Sequence, residues 1–391
     1  MIDTVLNTKE SCTGCYACFS ICPVNCISID MDSEGFGYPH TDTDKCIKCR
    51  KCVAVCPIIK KRIVKNNPSA FACINKNENI RLTSSSGGVF SAISENVIDR
   101  GGVVFGAAFN SRFELHHSYC ESLESLHIYR GSKYLQSQIG DSYKNAKTFL
   151  DAGRLVFFTG TPCQIGGLNS FLGKQYDNLI TADIICHGVP SPKVFNVYVN
   201  IREKISGSAI QHVLFRSKST GWRDYSVNFN FANGTSYTET HHKDPYMKAF
   251  LNDLCLRPSC YECKFKDLQR LSDITLADFW GANETIPDMY DNKGISLVLA
   301  NSEKGKNIIN NISESLLIRE VQIDNAVRYN LSAIKSASKN PNRTLFIEQL
   351  NADNFEYMVN KYCKNTLSKL IKKIIRVAFR KLSRYKALVI R

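Results

Sequence analysis

Eight cysteines near the N-terminus fall into two runs with the same spacing, C-x2-C-x2-C-x3-C-P. They are Cys12, Cys15, Cys18 and Cys22 in CTGCYACFSICP, and Cys46, Cys49, Cys52 and Cys56 in CIKCRKCVAVCP. Three cysteines spaced in this way can place three thiolates on one iron–sulfur cube, and the fourth ligates the partner cluster. The spacing therefore predicts two 4Fe–4S clusters with crossed ligands. One cluster takes Cys12, Cys15, Cys18 and Cys56, and the other takes Cys46, Cys49, Cys52 and Cys22.

Zinc and disulfides are the other uses of such cysteines. Zinc sites usually present their ligands in pairs rather than in two full runs of four. The N-terminal residues MIDTVLNTKE lack the basic-then-apolar pattern of a secretory signal. No stretch reaches the roughly 18 consecutive apolar residues of a spanning helix. We therefore expect a cytoplasmic protein whose 17 cysteines serve metal or redox chemistry rather than disulfides.

The elements that must position further chemistry lie after these runs. The chain has 391 residues, which is long enough for two or three domains. Residues 1–62 resemble a bacterial two-cluster ferredoxin, with CISIDMDSEGFGYPHTD as the hairpin between the runs. After the basic linker KKRIVKNNPS the pattern becomes α/β, because GGVVFGAAF and GRLVFFTGTPCQIGGL read as buried strands that lead into glycine turns. Such turns offer free backbone N–H groups to a phosphate.

Six motifs follow one another along the body. They are TSSSGGVFSAI (83–93), RGSKYLQSQIG (130–140), FFTGTPCQIGGL (157–168), CHGVPSP (186–192), CLRPSCYECKF (255–265) and DITLADFWG (273–281). Together they resemble the coenzyme F-420 hydrogenase/dehydrogenase beta-subunit family, in its bacterial branch with a fused two-cluster ferredoxin. The resemblance implies a bound FAD, a further cluster beside it, and electron flow between clusters, flavin and an organic substrate. Relatives act on the deazaflavin coenzyme F-420 or reduce tetrapyrroles, so the family does not fix the substrate.

The resemblance also implies which residues meet the flavin. The cofactor-binding candidates are Ser85, Ser86, Gly87, Gly88, Lys133, Tyr134, Ser137, Thr159, Gly160, Thr161, Pro162 and Gln164. The first four stand at a predicted helix start, which suits a diphosphate, although an ordinary helix cap is the alternative. Lys133 is also a catalytic candidate, since a lysine beside the flavin stabilises the negative charge of the reduced ring. Cys163 and His187 complete the catalytic candidates, and a histidine is suited to proton donation.

A third cysteine group, Cys255, Cys260 and Cys263, follows the spacing C-x4-C-x2-C. That spacing matches plant-type 2Fe–2S ferredoxins, whereas the family resemblance favours a 4Fe–4S cube. A cube needs a fourth ligand, for which we favour Cys186 over Cys163, because Cys163 is expected beside the flavin. A zinc site or three unpaired thiols are the alternatives.

The net charge of +14 is concentrated at the C-terminus. Residues 361–391 contain eleven Lys or Arg and no acidic residue, which leaves +3 on the rest of the chain. Apolar residues at helical spacing in this tail predict a basic amphipathic helix that binds an anionic membrane surface. A helix docked on the body, or a basic end without structure, is the alternative. Specific nucleic-acid binding is not expected, because the tail has no aromatic stacking platform.

The predicted fold class is α+β, in four parts. They are a two-cluster ferredoxin domain (1–62), an FAD-binding part of the body (63–150), a part with the third cluster (151–345) and a basic helical tail (346–391). We expect an iron–sulfur/FAD oxidoreductase on the inner face of the membrane, with a ferredoxin or reductase as redox partner and a small-molecule or lipid-linked substrate. The alternative is an electron-transfer subunit that relays electrons to a larger complex and has no substrate of its own.

Overall fold

The computed structural model describes residues 1–61 and 63–363. Within these residues the chain forms thirteen strands in three sheets and fourteen α-helices. The strands are β1 (Ile27–Met31), β2 (Gly37–Thr41), β3 (Ser69–Asn75), β4 (Val103–Phe109), β5 (Leu115–Cys120), β6 (Val156–Gly160), β7 (Leu179–Ile184), β8 (Ile210–Ser217), β9 (Ser226–Phe231), β10 (Ser236–Thr240), β11 (Ile274–Asp278), β12 (Ser296–Ala300) and β13 (Leu316–Val321). The helices are α1 (Ile2–Val5), α2 (Ala17–Ser20), α3 (Lys51–Ala54), α4 (Glu78–Thr83), α5 (Val89–Asp99), α6 (Ser142–Asp151), α7 (Pro162–Leu172), α8 (Pro192–Ser206), α9 (Pro245–Leu251), α10 (Ala282–Thr285), α11 (Glu303–Asn311), α12 (Ile323–Val327), α13 (Arg343–Gln349) and α14 (Phe355–Tyr362).

The N-terminal head, residues 1–61, is built around an antiparallel hairpin and two cysteine loops. Strands β1 and β2 pair from Ile27 opposite Thr41 to Met31 opposite Gly37. Each cysteine loop ends in a single helical turn, α2 in the first and α3 in the second. The residue before each turn is left-handed, with φ of 63° at Tyr16 and 61° at Arg50. The two loops therefore share their backbone geometry as well as their cysteine spacing.

The body is organised by an eight-stranded sheet with the order β13-β3-β12-β11-β7-β6-β4-β5. Its four central strands, β11, β7, β6 and β4, run parallel, and the strands on both flanks are antiparallel. The sequences VFFTG and LITADI of β6 and β7 are largely apolar, as expected for parallel strands covered on both faces. The predicted boundary at residue 150 falls within this sheet, since strands from both sides of it pair with each other.

A second layer of the body is the three-stranded sheet β10-β9-β8. It packs with α8 and α9 around an aromatic core that includes Phe195, Phe215, Phe229 and Tyr246. Helix α8 begins at the Ser191 side chain, which accepts a hydrogen bond from the Val194 amide, with proline at the first turn. This layer contributes one wall of the cavity described below.

The head is held on the body by two buried arginines. Arg257 is 1% exposed and donates hydrogen bonds to the carbonyls of Cys12 (2.8 Å) and Gly37 (3.0 Å). Arg343 forms a buried ion pair with Glu34 at the tip of the head's hairpin. Both arginines belong to the body and their partners here to the head, so these charge-assisted hydrogen bonds tie the two parts together.

The fold is mixed α/β with an N-terminal ferredoxin-like domain, in agreement with the corresponding part of the prediction. Helices α13 and α14 add Phe346, Phe355 and Val359 to the aromatic core of the body. The predicted basic helix lies mostly in residues 364–391, outside the described residues. None of the helices within residues 1–61 and 63–363 has the length and apolar character needed to cross a membrane.

Candidate cofactor sites

The first predicted ligand set converges at the junction of head and body. Burial raises the pKa of Cys18 well above its usual value, and the neighbouring thiols of Cys15, Cys12 and Cys56 raise it further. The pKa of Cys15 is raised by burial and by Cys56, Cys12 and Cys163. The structure therefore brings together the four cysteines of the crossed assignment, including Cys56 from the second run. When these thiols lose their protons, the resulting thiolates repel one another, and bound iron would offset that repulsion.

The second ligand set lies on the outer side of the head. Cys26, a fifth cysteine, sits beside this set, with its Sγ 3.4 Å from Cys22 Sγ and its amide donating to the same sulfur at 3.4 Å. Burial raises the pKa of Cys26 to about 12, and hydrogen bonds to Cys22 and Cys46 contribute. Cys49 is exposed to solvent. Within residues 1–61 and 63–363 no three Cys, His, Asp or Glu side chains converge as they would on a single metal ion.

A third group of cysteines lines a small cavity between the head and the main cavity of the body. Cys163, Cys186, Cys260 and Cys263 all face it. Burial raises the pKa of Cys163 to about 12, with contributions from Cys263 and Cys186, and the pKa of Cys260 to about 12, with contributions from Cys163 and Cys263. Both candidates for the fourth ligand, Cys163 and Cys186, line this cavity.

Cys255, predicted as a ligand of the third cluster, lies elsewhere. It is fully buried in the aromatic core of the body, and its charged neighbour is Arg343 rather than the other three thiols. The reason is local, because the following residue, Leu256, forms an antiparallel bridge with Pro190. Cys255 therefore does not line the small cavity with Cys260 and Cys263, as the spacing led us to expect, whereas Cys163 does.

The main cavity of about 590 Å³ opens at the carboxyl ends of the parallel strands. This volume lies within the roughly 300–1,000 Å³ typical of small-molecule sites, and the edge is the usual binding edge of such sheets. Ten of the twelve predicted cofactor-binding residues line it. They are Ser85, Ser86, Gly88, Lys133, Tyr134, Ser137, Thr159, Gly160, Thr161 and Gln164. Gly87 stands behind the wall, and Pro162 lines the small cavity instead.

The loop before α5 approaches the sheet very closely. A Cβ at Gly87 would lie 2.2 Å from the carbonyl oxygen of Cys73 and 2.6 Å from the amide nitrogen of Ser296, so only glycine fits there. Gly88, with φ of 86°, begins the eleven-residue helix α5 without a side-chain cap. The first amides of the helix therefore remain free to bind an anion at the cavity wall. Arg130 stands beside them and donates to Ser91 Oγ at 2.9 Å.

A buried polar network forms the floor of the cavity. His117 contacts Ser137 Oγ through Nδ1 and lies 2.9 Å from the Thr159 carbonyl through Nε2. Burial lowers the pKa of His117 to about 4, so its imidazole is neutral at pH 7. Gln164 closes a capping box with Thr161 at the start of α7 and donates to Ser137. These residues fix the turn that carries Cys163.

Two cations stand in the walls of the cavity. Lys133 donates to the carbonyls of Ile128 (2.9 Å) and Arg130 (3.1 Å), and burial lowers its pKa to about 7. Arg216 pairs with Asp278 at 3.0 Å and stacks on Tyr225 at 3.9 Å. Arg216 belongs to β8 of the second sheet, and no motif in the sequence pointed to it.

His187 lies between the two cavities and lines both of them. Its Nε2 is 2.7 Å from Asp253 Oδ1, and its Nδ1 is 3.4 Å from Ser332 Oγ. Asp253 has a left-handed backbone with φ of 60°, which is uncommon for a residue with a side chain. Neither Asp253 nor Ser332 stood in a recognisable motif.

Comparison with known proteins agrees with this arrangement. Residues 153–326 match the family model for the C terminus of the coenzyme F420 hydrogenase/dehydrogenase beta subunit. Residues 11–58 match the 4Fe-4S dicluster domain. The chain is therefore similar to this beta-subunit family over residues 153–326 and to dicluster ferredoxin domains over residues 11–58. The 4Fe–4S domain predicted from the sequence is thereby confirmed.

Individual relatives match over shorter stretches. An uncharacterized protein of Methanocaldococcus jannaschii is 28% identical over 200 residues, covering 43% of this chain and 54% of that protein. The polyferredoxin-like subunit of an aliphatic sulfonate oxidoreductase from Pyrococcus furiosus is 34% identical over 70 residues, covering 17% of this chain and 39% of that protein. The chain thus spans about half or less of the length of these relatives. A solved chain from the F420-reducing [NiFe] hydrogenase complex of Methanosarcina barkeri is 16% identical with a TM-score of 0.43, covering 76% of this chain and 91% of that chain.

Proposed function

We propose that this beta-subunit relative is an iron–sulfur flavoprotein oxidoreductase. Electrons pass between the two clusters of the head, a third 4Fe–4S cluster held by Cys163, Cys186, Cys260 and Cys263, and an FAD in the main cavity, and an organic substrate is reduced there. The observation that carries the proposal is the continuity of the sites. The first cysteine group adjoins the third, and the third adjoins the main cavity.

This continuity depends on close packing between head and body. A Cβ at Gly167 in α7 would lie 3.0 Å from Cys15 Cβ and 3.2 Å from the Cys15 carbonyl oxygen. The glycine therefore lets the first cysteine loop rest directly on the helix that begins with Pro162 and Cys163. On the other side, Cys186 and His187 line both the small cavity and the main one. Among the described residues, the first cysteine loop thus contacts the helix that carries Cys163, and the small cavity shares lining residues with the main cavity.

The residues present fit these groups. Four thiols on one cavity are the donor set of a cube. The buried hydroxyl of Thr13, which also lines that cavity, and the buried Nε of Arg270 have no hydrogen-bond partner among the described residues. In the main cavity the buried Nε of Arg216 is likewise unpaired within the described chain, beside the free amides of α5. These donors suit the sulfides of a cluster and the oxygens of an FAD, respectively.

When bound, a flavin accepts electrons singly and releases them in pairs. The residues of this chain bind the flavin, orient it and supply or accept the proton of the reaction. The α5 amides and Arg130 hold a diphosphate, while neutral His117 and Gln164, whose polar atoms are used within the protein, fix the cavity floor without adding charge. Lys133, in its protonated form, places a positive charge at the wall, and the reduced, negatively charged ring would favour that form.

His187 is the residue we assign to proton transfer. Asp253 accepts the hydrogen bond from Nε2–H, which fixes the tautomer and leaves Nδ1 to exchange a proton with the cavity through the Ser332 hydroxyl. Because His187 is half-buried, it can be reprotonated from solvent. Cys163, a catalytic candidate from the sequence, is assigned to the third cluster rather than to acid–base chemistry.

The test is purification of the full chain under argon, with iron, acid-labile sulfide and FAD measured per chain. We expect about twelve irons, as for three cubes, and one FAD. The matched variants are Cys163→Ser and Cys255→Ser. The first should lose about four irons and the second none, because only Cys163 faces the small cavity. Equal iron loss in both, or a chain with about eight irons and no flavin, would contradict the proposal.

A further inference from the structure

The second cysteine loop of the head is open to solvent and strongly basic. Cys49 is exposed, and Ile47 beside it is 62% exposed. Four cations lie within residues 45–51, which contain no acidic residue. They are Lys45, Lys48, Arg50 and Lys51, and all are exposed.

Most of this charge is not neutralised by the protein. Lys45 forms an ion pair with Asp42 at 2.9 Å. Lys48, Arg50 and Lys51 form no ion pair with any residue that the structure describes. Three uncompensated cations around one exposed cysteine create a local positive field that attracts an anionic surface.

We propose that the surface formed by residues 45–51 docks a small acidic electron-transfer protein of the ferredoxin or flavodoxin type. This inference rests on the proposed function. The docked partner gives up one electron, and the cluster held by Cys46, Cys49, Cys52 and Cys22 takes it up. No bond forms or breaks and no proton moves. The reverse transfer balances in the same way.

The composition of the surface favours a protein over other anions. An exposed apolar residue, Ile47, lies between the exposed Lys45 and Lys48 in the loop, and apolar side chains flanked by charged ones are usual in protein interfaces. The loop contains no aromatic side chain that could stack on a base. Rim charges of this kind mainly set the rate of encounter and the salt dependence of binding.

The experiment measures equilibrium binding of a purified acidic two-cluster ferredoxin to the full, cluster-loaded chain by calorimetry. The test variant is Lys48→Asn/Arg50→Asn/Lys51→Gln. Asparagine tolerates the left-handed backbone of the first two positions, φ of 56° and 61°, so the loop should keep its shape. The matched control, Lys76→Gln/Lys204→Gln/Lys243→Gln, removes three exposed lysines far from the loop.

We expect the Kd to rise about tenfold or more in the test variant and to stay within about twofold in the control. The wild-type Kd should also rise between ~0.05 and ~0.3 M salt, and this slope should be smaller in the test variant. Equal Kd values in the two variants would overturn the proposal. So would binding of the wild type to phosphatidylserine vesicles through the same three residues without binding of the ferredoxin. The flavin content of the preparation separates this result from the proposed function, because binding needs no flavin.

Discussion

The two cysteine loops of the head share a backbone but face opposite surroundings. The positions that flank the second cysteine are left-handed in both, Gly14 and Tyr16 in the first loop and Lys48 and Arg50 in the second. In the first loop these residues are buried against the body, and in the second they are exposed. A duplicated motif thus sets the geometry of the iron–sulfur sites, while the residues between the cysteines decide which site faces inward.

This difference means that one cysteine loop of the head faces the body and the other faces solvent. The inward loop adjoins the third cysteine group through Cys15 and Cys163, and the outward loop presents Cys49 to solvent. Small or aromatic residues between the cysteines allow close packing, whereas charged residues keep the other loop hydrated. An electron that passes between an external partner and the main cavity would therefore cross the outer site first and the inner site second.

The largest expected effect concerns the arginine that fixes the inward loop. Arg257 is buried and makes three hydrogen bonds, to Cys12, Gly37 and Gln136. Arg257→Ala leaves two backbone carbonyls without their charged donor, so we expect the free energy of unfolding to fall by about 3 kcal/mol or more. Urea titration under argon measures this change.

The matched control lies at the outward loop. Arg50→Ala removes an exposed side chain and should change the free energy of unfolding by less than about 0.5 kcal/mol. Similar losses in the two variants would show that the inward and outward loops are supported alike, against the comparison drawn above.

Several parts of the molecule were accessible from the sequence and others were not. The spacing of the first eight cysteines predicted a crossed grouping, and the structure places Cys56 of the second run near Cys12, Cys15 and Cys18 of the first. The second set of four stays a prediction. The body motifs located most of the main cavity, since its walls are loops that follow strands. The spacing grouped Cys255 with Cys260 and Cys263, but the Leu256–Pro190 bridge and the aromatic core completed by the β8–β10 sheet and helices α13 and α14 hold Cys255 elsewhere. Arg216, in β8, and Asp253, after α9, were missed because they lie outside the six body motifs.

An intermediate effect is expected from pH, and it should act on the inward side only. His117 lies under the main cavity with its pKa lowered to about 4 by burial, and residues 45–51 contain no histidine. The unfolded chain, with a histidine pKa of about 6.5, binds the proton more readily. The stabilisation is therefore complete above pH ~6.5 and is lost as the pH falls toward ~4.

The expected loss between pH 7 and pH 5 is about 2 kcal/mol. The variant His117→Gln cannot titrate, so the difference in free energy of unfolding between it and the wild type should shrink by that amount as the pH falls. Because the clusters are the same in both proteins, their own acid lability cancels in the difference. A constant difference across this range would show that His117 is not held neutral by burial.

An effect of similar size to that of pH is expected when two equivalent backbone positions are compared. Each is the second residue after the first cysteine of its run. Gly14 has φ of 65°, and a Cβ there would lie 2.7 Å from Gln136 Nε2 and 2.8 Å from Arg257 Nη1. Gly14→Ala combines left-handed strain with this crowding, so the free energy of unfolding should fall by about 2 kcal/mol.

At Lys48 the same conformation already carries a side chain in open solvent. Lys48→Gly relieves backbone strain in the folded protein but raises the conformational entropy of the unfolded chain. These opposing effects should leave the free energy of unfolding unchanged to within about 0.5 kcal/mol. A change of less than about 0.5 kcal/mol in Gly14→Ala would mean that the body does not press on the inward loop.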